Sequence, residues 1–123
     1  MQMLNVGTTR GVITDFTVAP GIFMSGEVVT ASLTLHNSGT VDLNGTLVVD
    51  VRDSEGVLVD NLSHIYMGLT PAQSASFEAE WHTPPDAFGP YYLTGYALYN
   101  SLVTDPEHQM ASTPRVLLPM LLR

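Results

Sequence analysis

The sequence predicts an all-β fold, a sandwich of two antiparallel sheets with about seven strands. Three observations lead there. Apolar and polar residues alternate with period two through most of the chain, and helical periodicity is nearly missing. Gly, Pro, Asn and Asp interrupt the apolar runs at near-regular spacing, as strands joined by turns require.

The elements follow in order. "VITDFTVAP" reads as a first strand that Pro20 ends. "EVVTASLTLHN" puts Val29, Ala31, Leu33 and Leu35 on one face and Thr30, Ser32, Thr34 and His36 on the other. "LNGTLVVDVRD" sets Leu47, Val49 and Val51 opposite Val48, Asp50 and Arg52, and the turn "DSEG" leads into "VLVDNLSHIYMGL". In "SASFEAEWHT" the alternation is cleanest, with Ala75, Phe77, Ala79 and Trp81 against Ser76, Glu78, Glu80 and His82. "GPYYLTGYALY" takes the core parity Tyr91, Leu93, Gly95 and Ala97, which leaves Tyr92, Tyr96 and Leu98 outside. Residues 110–117 are expected to form the closing strand, and "PAQSA" and "TPPDAFGP" are proline-punctuated loops.

The stretches "SGEVVTASLTLHNSGTVDLNGTLVVDVRDSEG" and "LTPAQSASFEAEWHTPPDAFGPYYLTGYALYN" resemble the immunoglobulin-like accessory domains of bacterial and archaeal surface and secreted proteins. CARDB-type adhesion modules and fibronectin-like domains are the nearest comparison. The shared features are Gly26 before the second strand, Asn37 and Gly39 closing it, the Asp53 to Gly56 hairpin, the "FEAEW" strand, the prolines after it, and "GPYY" opening the next. The resemblance covers residues 12–105 and implies a non-catalytic spacer, an adhesive module or an appendage to an enzyme. It also suggests that Tyr91 occupies the place of the tyrosine that braces corners in such folds. The long loop "HTPPDAFGPYY" and the apolar end depart from the pattern.

Composition narrows the function. The chain has 123 residues, 12 acidic against 4 basic side chains, a formal charge of -8 and no cysteine. One domain is expected over 12–117, between an N-terminal extension (1–11) and an apolar tail (118–123). The acidic balance argues against nucleic acid and anionic membrane surfaces as partners. Disulfides and thiolate chemistry are excluded. "MQMLNVGTTRG" shows no signal peptide, and no run approaches the roughly 20 apolar residues of a transmembrane helix. The resemblance nonetheless implies an extracellular or cell-surface setting.

Nothing in the sequence assembles a catalytic constellation, so no enzyme activity, cofactor or metal is expected. In an immunoglobulin-like sheet the strands that His36 and His82 end are adjacent and antiparallel, which puts the two roughly 25 Å apart at about 3.3 Å per residue, too far to share a metal. Asp53, Glu55 and Asp60 flank a hairpin that lacks a calcium-loop pattern. Ser63 beside His64 has no nucleophile-elbow glycines. "NGT" at Asn44 and "NLS" at Asn61 fit the glycosylation rule, but Asn44 and Gly45 are better read as turn or bulge residues that tolerate positive φ.

Two features point outward. Tyr92, Tyr96 and Leu98 form a candidate partner or ligand face, since half-exposed tyrosines offer apolar area and a hydroxyl handle. The tail is apolar on both sides: Val116, Leu118, Met120 and Leu122 on one, Leu117, Pro119 and Leu121 on the other. A closing strand of that kind leaves roughly 300 Å² of apolar surface uncovered. Val116–Leu122 is therefore a candidate assembly strand, accepted by a second copy and able to propagate into a filament, unless it folds back or leads to a neighbouring domain. The expected function is that of a structural or adhesive module. The alternative is a carbohydrate- or protein-binding accessory module of a secreted enzyme.

Overall fold

The computed structural model describes residues 7–114, and these fold into two facing antiparallel sheets. The strands are β1 (Gly11–Ala19), β2 (Val28–Asn37), β3 (Leu43–Arg52), β4 (Leu58–Leu69), β5 (Ser74–His82), β6 (Pro90–Tyr99), β7 (Leu102–Val103) and β8 (Glu107–Ser112). The smaller sheet has the order β1-β2-β5. The larger has the order β4-β3-β6, with β7 and β8 sharing the far side of β6.

The predicted parities place the core. Val29, Ala31, Leu33 and Leu35 of β2 face Leu47, Val49 and Val51 of β3 and Leu93 and Ala97 of β6, all without solvent exposure. Each buried Leu or Val contributes about 1.5–3 kcal/mol relative to leaving it in water. Trp81, Phe23 and Tyr91 close one end, the Trp81 ring 4.9 Å from Tyr91 and edge-on to Phe23 at 5.6 Å. Tyr91 thus serves as a core aromatic at this end. The tyrosine whose hydroxyl braces the main chain is Tyr66, which donates to the Leu98 carbonyl at 2.9 Å.

Two glycines are set by close approach. A Cβ at Gly45 would lie 1.9 Å from the Leu98 carbonyl oxygen, and one at Gly95 would lie 2.9 Å from both Leu33 and Phe16 side-chain atoms. The expected bulge at Asn44–Gly45 is present as a register shift between Leu43 and Gly45. Its reason differs from the expected one, because positive φ occurs at other residues and Gly45 is required by contact with β6.

Asn37 ends β2 as a buried knot. Its side-chain amide donates to the carbonyls of Val41 and Leu69, both at 2.8 Å, and its side-chain oxygen accepts from the Gly39 N–H. The knot ties the β2–β3 and β4–β5 turns together at one end of the sandwich.

The closing strand departs from expectation in number and bounds. It is split in two because Thr104 turns inward, exchanging hydrogen bonds with Ala97 through its main-chain N–H and its hydroxyl. β8 then begins at Glu107, earlier than residue 110, and pairs Tyr91 with Ala111 and Gly95 with Glu107. Residues 115–117 of the expected strand lie outside the described residues.

A candidate interaction face on the larger sheet

The two outer faces differ in chemistry. On the smaller sheet, Thr30, Ser32, Thr34 and His36 of β2 sit opposite Glu80, Glu78, Ser76 and Ser74 of β5. Thr34 and Ser76 hydroxyls lie 3.0 Å apart, and His36 Nδ1 is 3.0 Å from Ser74 Oγ. The β2–β5 part of this face is polar, with Val12 and Ala19 of β1 and Val28 at its margins. His82 is opposite Val28, at the far end from His36, so the register keeps these two histidines apart.

Register assembles the other outer face from five strands. Leu58, Arg52, Tyr92 and Met110 form one row across β4, β3, β6 and β8. Asn61, Asp50, Thr94 and His108 form the next, followed by Ser63, Val48 and Tyr96. Ile65, Thr46, Leu98 and Val103 complete the set. Large apolar side chains stay in water here: Ile65 is 71% exposed, Val103 57%, Met110 55% and Tyr92 45%. Alternation alone should make this outer row polar, and the departure is what marks it.

A polar girdle fixes the tyrosine at its centre. Asp50 accepts a hydrogen bond from the Asn61 side-chain amide and lies beside the Tyr96 hydroxyl. Burial and the neighbouring Asp50 charge raise the Tyr96 pKa above the usual tyrosine value, so the hydroxyl stays a donor. Thr94 Oγ1 and His108 Nδ1 lie 3.1 Å apart in the same row. Tyr96 is consequently half-buried and oriented, whereas Tyr92 is open. At one end the hairpin residues Asn100 and Ser101 adopt left-handed backbone, and the Asn100 side chain bonds both Asn44 and Asp42 main-chain atoms. That lock presents Leu102 and Val103 beside Leu98 rigidly.

The remaining sequence-derived candidates distribute as follows. Tyr92, Tyr96 and Leu98 share this face. Asn44 and Asn61 are both exposed, but their amides are engaged: Asn44 Oδ1 accepts from the Gly68 N–H at 2.7 Å, and Asn61 Nδ2 bonds Asp50. Asp53 Oδ1 accepts from the Glu55 and Val57 N–H groups, which makes it the organiser of its hairpin. The assembly-strand residues Val116, Leu117, Leu118, Pro119, Met120, Leu121 and Leu122 lie outside the described residues. Sequence reasoning missed Leu58, Ile65, Val103 and Met110. Their signal was an apolar residue at a polar parity, visible only once the register joins the strands.

A polar cleft of about 270 Å³ lies between the start of β1 and the β7–β8 connection, lined by Arg10, Tyr99, Thr104, Asp105 and Glu107 among others. Among the described residues, no three of His, Asp or Glu group as a metal ion would require.

The fold and its β1-β2-β5 and β4-β3-β6 sheets define the class, an immunoglobulin-like β-sandwich module. No protein-family profile matches the chain, and no curated protein matches it in sequence. Solved structures do match. A protein from Bacteroides fragilis assigned as a β-galactosidase is 19% identical, with a TM-score of 0.64 over 83% of this chain and 17% of its own. A Paenibacillus cycloisomaltooligosaccharide glucanotransferase is 14% identical, with a TM-score of 0.63 over 85% of this chain and 14% of its own. A β-glucuronidase of glycoside hydrolase family 2 is 14% identical, with a TM-score of 0.62 over 84% of this chain and 12% of its own. In each the likeness is to one β-rich part of a far longer protein. At these identities it establishes the fold.

Proposed function

We propose that this chain is a non-catalytic structural or adhesive module of an extracellular or cell-surface protein. It works by protein contacts through the outer face of the larger sheet, including contacts with other copies of itself. The observation that carries the reading is the asymmetry of the two outer faces. One centres on the Ser, Thr, His and Glu residues of β2 and β5, whereas the other holds Ile65, Tyr92, Leu98, Val103 and Met110 in water. Burying such a row on a partner contributes at about 25 cal/mol per Å² before ordering costs. The resemblance to CARDB-type modules and the assembly role of Val116–Leu122 belong to this proposal.

Light scattering behind size exclusion tests it. The full chain is expected to form particles larger than a monomer that lose size in an Ile65→Lys, Leu98→Lys double variant. A Thr34→Lys, Ser76→Lys control on the polar face should leave size unchanged. A monomer at every concentration would refute the self-contact. A second reading, a carbohydrate-binding accessory module of a secreted enzyme, is favoured by the aromatic pair Tyr92 and Tyr96 flanking Asp50, Asn61 and Thr94, and by the glycoside-acting enzymes that share the fold. It predicts retardation on polysaccharide gels that Tyr92→Ala abolishes.

A further inference from the structure

The free edge of the larger sheet is β4, whose hydrogen-bonded neighbour among the described strands is β3 alone. Natural edges are blunted by lysine, proline, short length or a covering segment. β4 runs for 12 residues with no Lys, Arg or Pro and a single carboxylate, Asp60. Between register shifts at its two ends, residues 60–66 pair regularly with β3, a stretch of regular strand as long as the apolar run Val116–Leu122. Among the described residues cover is slight: the Asp60 carboxylate accepts from the Asn61 N–H, Asn44 Oδ1 accepts from the Gly68 N–H, and the His64 ring stacks on Phe77 of β5 at 5.4 Å.

The other edges are less suited. On the β1/β8 side, Gln109 donates to the Phe16 carbonyl and Ser112 bridges Ile22, so the two sheets are tied there. Along β5 an added strand would set its outer row beside Ser76, Glu78 and Glu80. Along β4 it would set that row beside Asn61, Ser63 and exposed Ile65, with exposed Leu58 beyond the register shift, a row without charge, and its inner row beside Asp60, Leu62, His64 and Tyr66.

We infer that the β4 edge accepts the segment Arg115–Arg123 of a second copy as an added strand. The inference rests on the self-contact proposed above. Charge supports this occupant. Residues 7–114 carry all 12 carboxylates and only Arg10 and Arg52, whereas Arg115 and Arg123 bracket the apolar run. Asp50, Asp53, Glu55 and Asp60 lie on or beside the acceptor edge. Proline fits as well, since Pro119 can turn its donor-less nitrogen outward on a new edge while the even-numbered residues bond β4.

Reach makes the donor a second copy. The described chain ends just past β8, where Thr113 bonds Gly89 and Ser112 faces Pro90. β8 and β4 are three strand spacings apart across the sheet, about 14 Å. Only Arg115 separates the described chain from Val116, a span of about 7 Å, too little to cross that gap before the seven residues Val116–Leu122 lie along β4. Donor and acceptor are different patches, so the contact is head-to-tail and continues from copy to copy.

The chain has no cysteine, which makes disulfide mapping clean. Full-length Ser63→Cys, isotopically labelled, is mixed with unlabelled full-length Leu118→Cys and oxidised, and the cross-linked peptides are identified by mass spectrometry. A Ser76→Cys chain on the polar face serves as the control acceptor. Expected is a cross-link between copies at 63, at least about tenfold above the control, because docking raises the local thiol concentration into the millimolar range. An oligomeric chain whose cross-links favour 76, or spread evenly, overturns the acceptor while leaving self-contact standing. A chain that light scattering shows to be monomeric overturns both.

Discussion

Replacing Asn37 with Ala is expected to be among the most damaging single polar substitutions in this molecule. The side chain has no solvent exposure, donates to the Val41 and Leu69 carbonyls at 2.8 Å and accepts from Gly39 N–H at 2.9 Å. Three hydrogen bonds at about 1 kcal/mol net, plus the desolvation of carbonyls left without donors, give a loss of about 3–5 kcal/mol. That is a large part of the 5–15 kcal/mol that holds a typical domain folded. At about 4 °C per kcal/mol the melting temperature should fall by roughly 12–20 °C. Urea unfolding followed by the fluorescence of Trp81, the single tryptophan and 2% exposed, reads it directly. Asn37→Asp adds a sign. It replaces two donors with a carboxylate facing two carbonyls, so the introduced group is held neutral when folded and binds protons more tightly there than when unfolded. Stability of that variant should fall as pH rises from the acid side. A loss below about 1 kcal/mol for Asn37→Ala would refute the reasoning, since water would then be replacing the amide at no net penalty.

Further tests concern the backbone and a tyrosine. Gly45→Ala drives a Cβ into the Leu98 carbonyl at 1.9 Å, where main chain must move, and should cost about 3 kcal/mol or more. Gly21→Ala, with nothing within 4 Å, should stay within about 0.5 kcal/mol, and urea unfolding of both tests the contrast. Ala72 follows Pro71 in a turn closed by Gln73 N–H to Thr70 O, at φ 70, where glycine is the unstrained residue. Ala72→Gly should therefore stabilise the fold by about 1 kcal/mol and raise the urea midpoint. Burial, with a smaller contribution from Tyr99, pushes the Tyr66 pKa up to about 12. A group held above its unfolded value gives stability that is present below pH 10 and lost as pH rises toward 12. Ultraviolet titration should show a late-ionising tyrosine that Tyr66→Phe removes.

The sequence by itself determined the class of fold and most strand faces. Period-two alternation is a local property: Val29 to Leu35 and Ala79 to Trp81 declare their buried side without reference to any partner. The same parity put Tyr92, Tyr96 and Leu98 on the outside. Tertiary structure decided what lies beside them. Leu58, Ile65, Val103 and Met110 belong to segments far apart in the chain, and only the strand order and register bring them into rows with the tyrosines. The same holds for Gly45, whose local reading as a positive-φ residue gave way to a contact with Leu98, and for Thr104, whose inward turn divides the closing strand. Side-chain alternation is written in neighbouring residues, whereas close approach and register arise from strands that meet only when the sandwich closes.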